Sequence, residues 1–301
     1  MIQIDRILCP VDQSDLARRA LDFAVVLARR FEAAVRAVEV IPIGLPALDY
    51  PPTPAAFALT AEQEQAHAAS LDRFVAPARR DGVAVEAVVR GGFIIEQLLL
   101  EAEQYDADLI VMGTHGRSGV QRLVLGSVTE KMLRRATCPV LTVPPGATVD
   151  PVALDLPKTI LCPVDFSEAS LRGIEYALSL AQESDARVIL MHVVDWAAET
   201  WAAGTHGAAL ADYTAARRAE AERLLADAIP VPARDWCTPE IVVGEGKPWR
   251  EVLRVARAEQ ADLIVMGVLG RGAVDLTLFG STAHHVVREA PCPVLTVRAK
   301  A

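Results

Sequence analysis

The sequence contains no run of about 18 or more apolar residues, which excludes an ordinary membrane-spanning helix, although hydrophobic residues make up 52% of its 301 positions. Its opening residues, Met1 to Leu8, lack the basic-then-apolar pattern of a secretory signal, so a cytoplasmic protein is expected. It also lacks an excess of positive charge. Thirty Lys plus Arg against thirty-nine Asp plus Glu leave a formal charge of −9, which opposes attraction to nucleic acid or to an anionic membrane. Cysteines are few: Cys9, Cys138, Cys162, Cys237 and Cys292. None has the Cys-x2-Cys spacing of a zinc site, and an odd number without a signal argues against a disulfide framework. Small buried thiols are expected instead. No Gly-Lys-Ser/Thr of a Walker A loop occurs, no Walker B acid, no general base placed to activate water and no Gly-x-Ser-x-Gly nucleophile motif. Efficient turnover is therefore not expected.

What the sequence does contain is a repeat. The run from Asp108 to Val143 has a copy from Asp262 to Val297. Each opens with Asp-Leu-Ile-Val-Met-Gly and closes with Cys-Pro-Val-Leu-Thr-Val. Between these lie glycines at one spacing: Gly113, Gly116 and Gly126 followed by Ser127, and Gly267, Gly270 and Gly280 followed by Ser281. A short apolar run bounded by glycine reads as a buried parallel strand, and a serine directly before a helical pattern reads as an N-cap. Glycines at such a junction let the main chain turn sharply and let an anion approach its N–H groups, where the helix N-terminus adds partial positive charge. Phosphate can be held there without a general positive field. Arg117 and Arg271, after the second glycine of each copy, could neutralise it, and Ser127, Ser281 and Ser118 offer hydroxyls to phosphate or to a Mg²⁺ that accompanies it.

The remainder reads as strand alternating with helix. A strand over Ile4–Val11 ends in Cys9-Pro10-Val11-Asp12, and its counterpart over Thr159–Val164 ends in Cys162-Pro163-Val164-Asp165. Helices follow each, then strands at Ala34–Val40 and Arg187–Val193, long helices near Thr60–Arg80 and Ala209–Ala228, and third strands at Val83–Val89 and Glu240–Val243. Thr60 with Gln63 has the form of a capping box. Helices from about Ile94 and Pro248 lead into the repeated run, and fifth strands close each half at Pro139–Val143 and Pro293–Val297. This alternation predicts an α/β fold of two domains, 1–147 and 158–301, each a doubly wound five-stranded parallel sheet of order 3-2-1-4-5 with helices on both faces. The proline-bearing stretch Pro144–Pro157 reads as the linker. The halves diverge at Pro42–Pro54, with Tyr50, and at Asp195–Gly207, with Trp196, Trp201 and His206; both read as loops. His67, His206, His284 and His285 have no partner at metal-ligand spacing and read as structural or surface residues.

Gly-x2-Gly-x9-Gly-Ser after a Leu-Ile-Val-Met strand, present twice, resembles the nucleotide loop of the universal stress protein family, and the pair resembles its tandem Rossmann-like members. The resemblance spans nearly the whole chain. It implies that ATP is the cofactor, with Mg²⁺ bound through its phosphates near Ser127 and Ser281. Asp12 and Asp165, which by chemistry alone are equally helix-capping carboxylates, are implied to contact adenine or ribose, beside Pro10 and Val11 or Pro163 and Val164. Val40 and Val193 fall where the family places an apolar contact with adenine. In an open α/β sheet ligands bind where the strand order reverses, here between strands one and four, so these carboxylates and the glycine loops converge on one crevice. The resemblance also implies a pseudo-dimer through the fifth strands, with room for a homodimer. The leading expectation is an ATP-binding regulatory or protective module in stress response. A slow ATPase or nucleotide-transfer enzyme at the same crevices, and an interaction scaffold with empty sites, are the alternatives.

Overall fold

Apolar runs of four or five residues, bounded by proline or glycine, become strands because every position along them is covered on both faces. In a computed structural model, which describes residues 2–42, 59–80, 82–116, 125–147, 157–195, 208–268 and 279–299, the chain divides into two units. They comprise Gln3–Leu154, and Asp155–Ala301 together with Met1–Ile2.

In the first unit β1 (Arg6–Pro10), α1 (Asp15–Phe31), β2 (Ala34–Pro42), α2 (Ala61–Arg80) and β3 (Val85–Gly92) precede α3 (Ile94–Gln104), β4 (Leu109–Gly113), α4 (Ser127–Arg135) and β5 (Val140–Val143). β1 pairs in parallel with β2 and β4, β2 with β3, and β4 with β5, which gives the order 3-2-1-4-5. The second unit repeats it with β6 (Thr159–Pro163), α5 (Glu168–Ser184), β7 (Arg187–Val194), α6 (Ala208–Asp227), a 3₁₀ turn at Val231–Asp235, β8 (Glu240–Glu245), α7 (Pro248–Ala258), β9 (Leu263–Gly267), α8 (Ser281–Glu289) and β10 (Val294–Val297). β6 pairs with β7 and β9, β7 with β8, and β9 with β10, all parallel. Parallel neighbours require crossover helices, and these cover both faces of each sheet. The Rossmann-like α/β architecture is therefore present in both halves.

The cores are continuous through the central strands. Ile7, Leu8 and Ile110 are fully buried with Leu21 of α1 and Met132 of α4, as are Ile160, Leu161, Ile189 and Leu190 with Ile174 of α5. Each such side chain contributes about 1.5–3 kcal/mol by burial. The repeated aspartate that opens the organising run has a local role that sequence reading left unassigned. Asp108 Oδ2 accepts from the main-chain N–H of Asp5 and Arg6, both at 2.9 Å, and Asp262 Oδ2 accepts from Lys158 and Thr159 at 3.0 and 2.9 Å. It thereby fixes where strand one begins against strand four.

Three details depart from or refine the expectations. In the first unit the second and third strands run two and three residues past the ends read from sequence, because the β2–β3 ladder continues through Ile41 with Gly91 and Pro42 with Gly92. The capping box at α2 forms, with Gln63 N–H donating to Thr60 Oγ1 at 3.2 Å and Thr60 N–H donating to Gln63 Oε1 at 3.0 Å. The loops read at Pro42–Pro54 and Asp195–Gly207 lie almost wholly outside the described residues.

Candidate functional site

In the second unit the carboxyl ends of β6, β7 and β9 meet the N-terminus of α8 around a cavity of about 500 Å³, a volume in the usual range for small-molecule sites. Pro163, Val164, Asp165, Val193, Gly267, Gly280 and Ser281 all line it. Seven positions singled out from sequence in separate elements thus share one enclosure. Its walls also include residues that sequence reading did not reach: Met191 from β7, Pro248 and Val252 from α7, and Phe279 just before α8. They were invisible as site residues because apolar side chains at strand ends and helix faces carry no signal that separates a crevice wall from core. Among the described residues neither Lys nor Arg lines it.

In the first unit the equivalent residues show how the glycine spacing works. Asp12 Oδ1 accepts from Ser14 N–H at 3.1 Å and from Ser14 Oγ at 2.6 Å, and Ser14 Oγ caps α1 by accepting from Ala17 N–H at 3.2 Å. Asp165 repeats this with Ser167, at 3.0 and 2.5 Å, and Ser167 accepts from Ser170 N–H at 3.3 Å. Each aspartate therefore does serve its helix start. The second oxygen of Asp12 faces the glycine loop, for a Cβ placed on Gly116 would stand 2.8 Å from Asp12 Oδ2. Strand one and the loop after strand four do meet, as the expected reversal point requires.

Gly113, Gly126 and Gly267 are needed for close packing. A Cβ on Gly113 would stand 2.7 Å from Leu16 Cγ, and one on Gly267 would stand 2.8 Å from Ser170 N; both let the following strand end press against the first helix. Gly126 N–H donates to Thr114 O at 2.9 Å, and a Cβ there would collide with that oxygen at 2.9 Å. Gly280 N–H makes the same bond to Val268 O at 3.0 Å. So of each glycine set, the first and third shape the loop, and Gly116 stands against the carboxylate.

One expectation is corrected. Ser127 and Ser281 are not N-caps: each is the first helical residue, and the caps are Gly126 (φ −60°, ψ 136°) and Gly280 (φ −57°, ψ 139°), with no side-chain capping bond. An extended main chain at glycine gives the same Ser-then-helix pattern in sequence. Its consequence is that the cap residue itself brings no side-chain oxygen to the helix end. Arg117, Gly270 and Arg271, with Ser118, lie outside the described residues. Val40 pairs with Arg90 in the β2–β3 ladder, and Pro10 and Val11 lead into Asp12, Val11 N–H donating to Val38 O at 2.9 Å.

The halves differ at the end of the second strand. Glu39 is 2% exposed and accepts from Gln13 Nε2 at 2.9 Å, with His67 Nδ1 at 3.6 Å and Ser70 Oγ donating to Gln13 at 2.8 Å. The corresponding place in the second half holds His192, whose Nδ1 lies 2.7 Å from Val164 O and whose ring packs on Phe166 at 4.8 Å. His284 and His285, read as structural, do make local contacts: His285 stacks on Trp249 at 4.7 Å, and His284 packs edge-on to Phe279 at 6.1 Å. Cys9 and Cys162, at the ends of strand one, are buried free thiols. Burial pushes Cys9 far up and Cys162 up to about 12, so neither is a thiolate nucleophile at neutral pH. Among the described residues no group of three or more His, Cys, Asp or Glu could hold a metal ion.

A family model described as Universal stress protein family matches the chain twice, over residues 3–144 and 157–298. A universal stress protein of Methanocaldococcus jannaschii is 35% identical over 144 residues, which cover 46% of this chain and 81% of that protein. Another, of Thermus aquaticus, is 37% identical over 145 residues, 47% of this chain and 98% of its own length. Among solved structures, a universal stress protein from Archaeoglobus fulgidus superposes with a TM-score of 0.69 at 20% identity, over 100% of both chains. That likeness concerns the fold.

Proposed function

The chain belongs to the universal stress protein family, in a tandem form, and we propose that its crevices bind adenine nucleotide, ATP in the first instance, as a nucleotide-dependent regulatory or protective module in stress response. The observation that carries this reading is the second-unit cavity of about 500 Å³, in which Asp165, Val193, Gly267, Gly280 and Ser281 face one space. Its mixed character suits a nucleotide. Apolar walls from Met191, Val193 and Val252 accept a base, while the uncapped N-terminus of α8 presents N–H groups to phosphate. With no Lys or Arg among the described lining residues, these main-chain N–H groups are the donors that the described part of the cavity offers to phosphate.

Within this reading Asp12 and Asp165 contribute to adenine or ribose recognition, beside Pro10, Val11 and Val40 or Pro163, Val164 and Val193. Gly113, Gly116, Arg117, Gly126 and Ser127, with Gly267, Gly270, Arg271, Gly280 and Ser281, serve the phosphates. Mg²⁺ would enter with the phosphates near Ser127 and Ser281. No residue is assigned to catalysis. The test is to denature freshly purified protein, identify the released nucleotide by chromatography, and titrate ATP calorimetrically into the emptied chain. About two ATP per chain is the expected result. Absence of binding at millimolar ATP would remove the nucleotide reading and leave an interaction scaffold.

A further inference from the structure

The residue that follows the crevice aspartate has the same unfavourable backbone in both units. Gln13 and Phe166 each stand at φ 61°, in the left-handed region that few residues other than glycine and asparagine enter. Asp12 Oδ1 closes a hydrogen-bonded ring across Gln13 by accepting from Ser14 N–H at 3.1 Å, and Asp165 closes the same ring across Phe166 by accepting from Ser167 N–H at 3.0 Å. The conformation of the spanned residue therefore decides where the carboxylate can point. Backbone strain of this kind persists only where the surroundings over-determine it, and the side chains of the two residues show what does so.

In the first unit Gln13 is held at both ends of its amide. Its Nε2 donates to Glu39 Oε2 at 2.9 Å, and its Oε1 accepts from Ser70 Oγ of α2 at 2.8 Å. Glu39 is 2% exposed, and His67 Nδ1 of α2 lies 3.6 Å from the same Oε2. A carboxylate so far from water persists where donors satisfy it, and the amide of Gln13 is one of them. In the second unit the pair is aromatic. His192, at the place of Glu39, donates from Nδ1 to Val164 O at 2.7 Å, since a carbonyl only accepts, and its ring packs on Phe166 with centroids 4.8 Å apart. Two chemically unrelated pairs thus reach one backbone angle from one strand position, which marks the angle, rather than either pair, as what that place requires.

Building on the nucleotide reading, we propose that Glu39 is a positioning residue of the first unit: through Gln13 it keeps residue 13 left-handed and so aims the Asp12 carboxylate at the bound base or ribose. The full chain and its variants would be titrated calorimetrically with ATP and with adenosine. Glu39→Leu, whose side chain cannot accept, should weaken both ligands at one of two sites by roughly tenfold and leave the other site as in the parent. Glu39→Gln, whose side-chain oxygen still accepts from Gln13, should recover most of the loss. Gln13→Val, whose branched side chain resists a positive φ, should weaken the same site at least as much. In a Gln13→Gly background no side chain remains for Glu39 to act through, so Glu39→Leu should add less than about a twofold loss. The proposal is overturned if Glu39→Leu binds both ligands as the parent does, if it weakens both sites alike, or if its loss persists in full in the Gln13→Gly background. Should Glu39→Leu fail to fold, Gln13→Val decides: parental binding at every site overturns the proposal. A parent chain that binds neither ATP nor adenosine removes the nucleotide reading and the proposal together, whereas a parent that binds both, with variants that bind alike, removes the proposal alone.

Discussion

Asp12 gives one carboxylate oxygen to the start of α1, through Ser14, and turns the other toward Gly116. The two readings that chemistry left equal in the sequence, a helix-start carboxylate and a crevice group, are thus compatible in one residue. Gly116 and Gly126 sit in the same loop but differ in what a methyl group would meet. At Gly116 it would press on Asp12 Oδ2 at 2.8 Å, the end of a side chain; at Gly126 it would press on Thr114 O at 2.9 Å, a main-chain atom held by its own hydrogen bond. Gly126→Ala should therefore cost about 1–3 kcal/mol of stability, and Gly116→Ala clearly less. The binding effect should run the other way, with Gly116→Ala displacing Asp12 and weakening ATP in the first unit. Urea denaturation and ATP calorimetry on both variants check this, and a larger stability loss from Gly116→Ala than from Gly126→Ala would refute it.

At the scale of elements, legibility depended on whether one physical cause produces one sequence pattern. Buried parallel strands do: the Leu-Ile-Val-Met runs became β4 and β9, and the strand order followed from the βα alternation. Thr60 with Gln63 was legible for the same reason, since reciprocal capping needs both side chains at that spacing. Serine before a helix is ambiguous. Ser14 and Ser167 cap their helices, whereas Ser127 and Ser281 sit one residue inside theirs, behind glycine caps. The buried Glu39 was not legible, because its partners Gln13 and His67 come from other elements. Removing a capping oxygen typically costs about 1 kcal/mol, so Ser14→Ala and Ser167→Ala should each lower stability by about that much. Ser127→Ala and Ser281→Ala should stay within about 0.5 kcal/mol of the parent, while lowering nucleotide affinity if their hydroxyls meet phosphate. Urea midpoints of the four variants decide it; equal losses at all four would return Ser127 and Ser281 to a capping role.

Across the whole chain, four of the five thiols are withdrawn from water, two in each unit, and this ties the stability of both halves to alkaline pH. Burial is the leading cause in each: Cys138, Cys162 and Cys292 are raised to about 12, and Cys9 further, with Asp22 adding to it. An unfolded cysteine ionises near pH 8.5. Below that pH both states keep the proton and the contribution to stability is complete. Between about 8.5 and 12 the unfolded chain releases protons that the folded chain retains, so stability falls as pH rises, by about 1.4 kcal/mol per pH unit for each such thiol. Cys162, fully buried on β6, tests the sign and the size together. Replacing it with alanine leaves a small cavity and lowers stability near pH 7, but it also deletes one proton from the balance. The slope of unfolding free energy against pH between 9 and 10.5, measured by urea denaturation of the second unit's transition, should become shallower by about 1.4 kcal/mol per pH unit. An unchanged slope would mean that Cys162 ionises as readily in the folded chain as in the unfolded one, which burial of its sulfur in the β6 core does not allow.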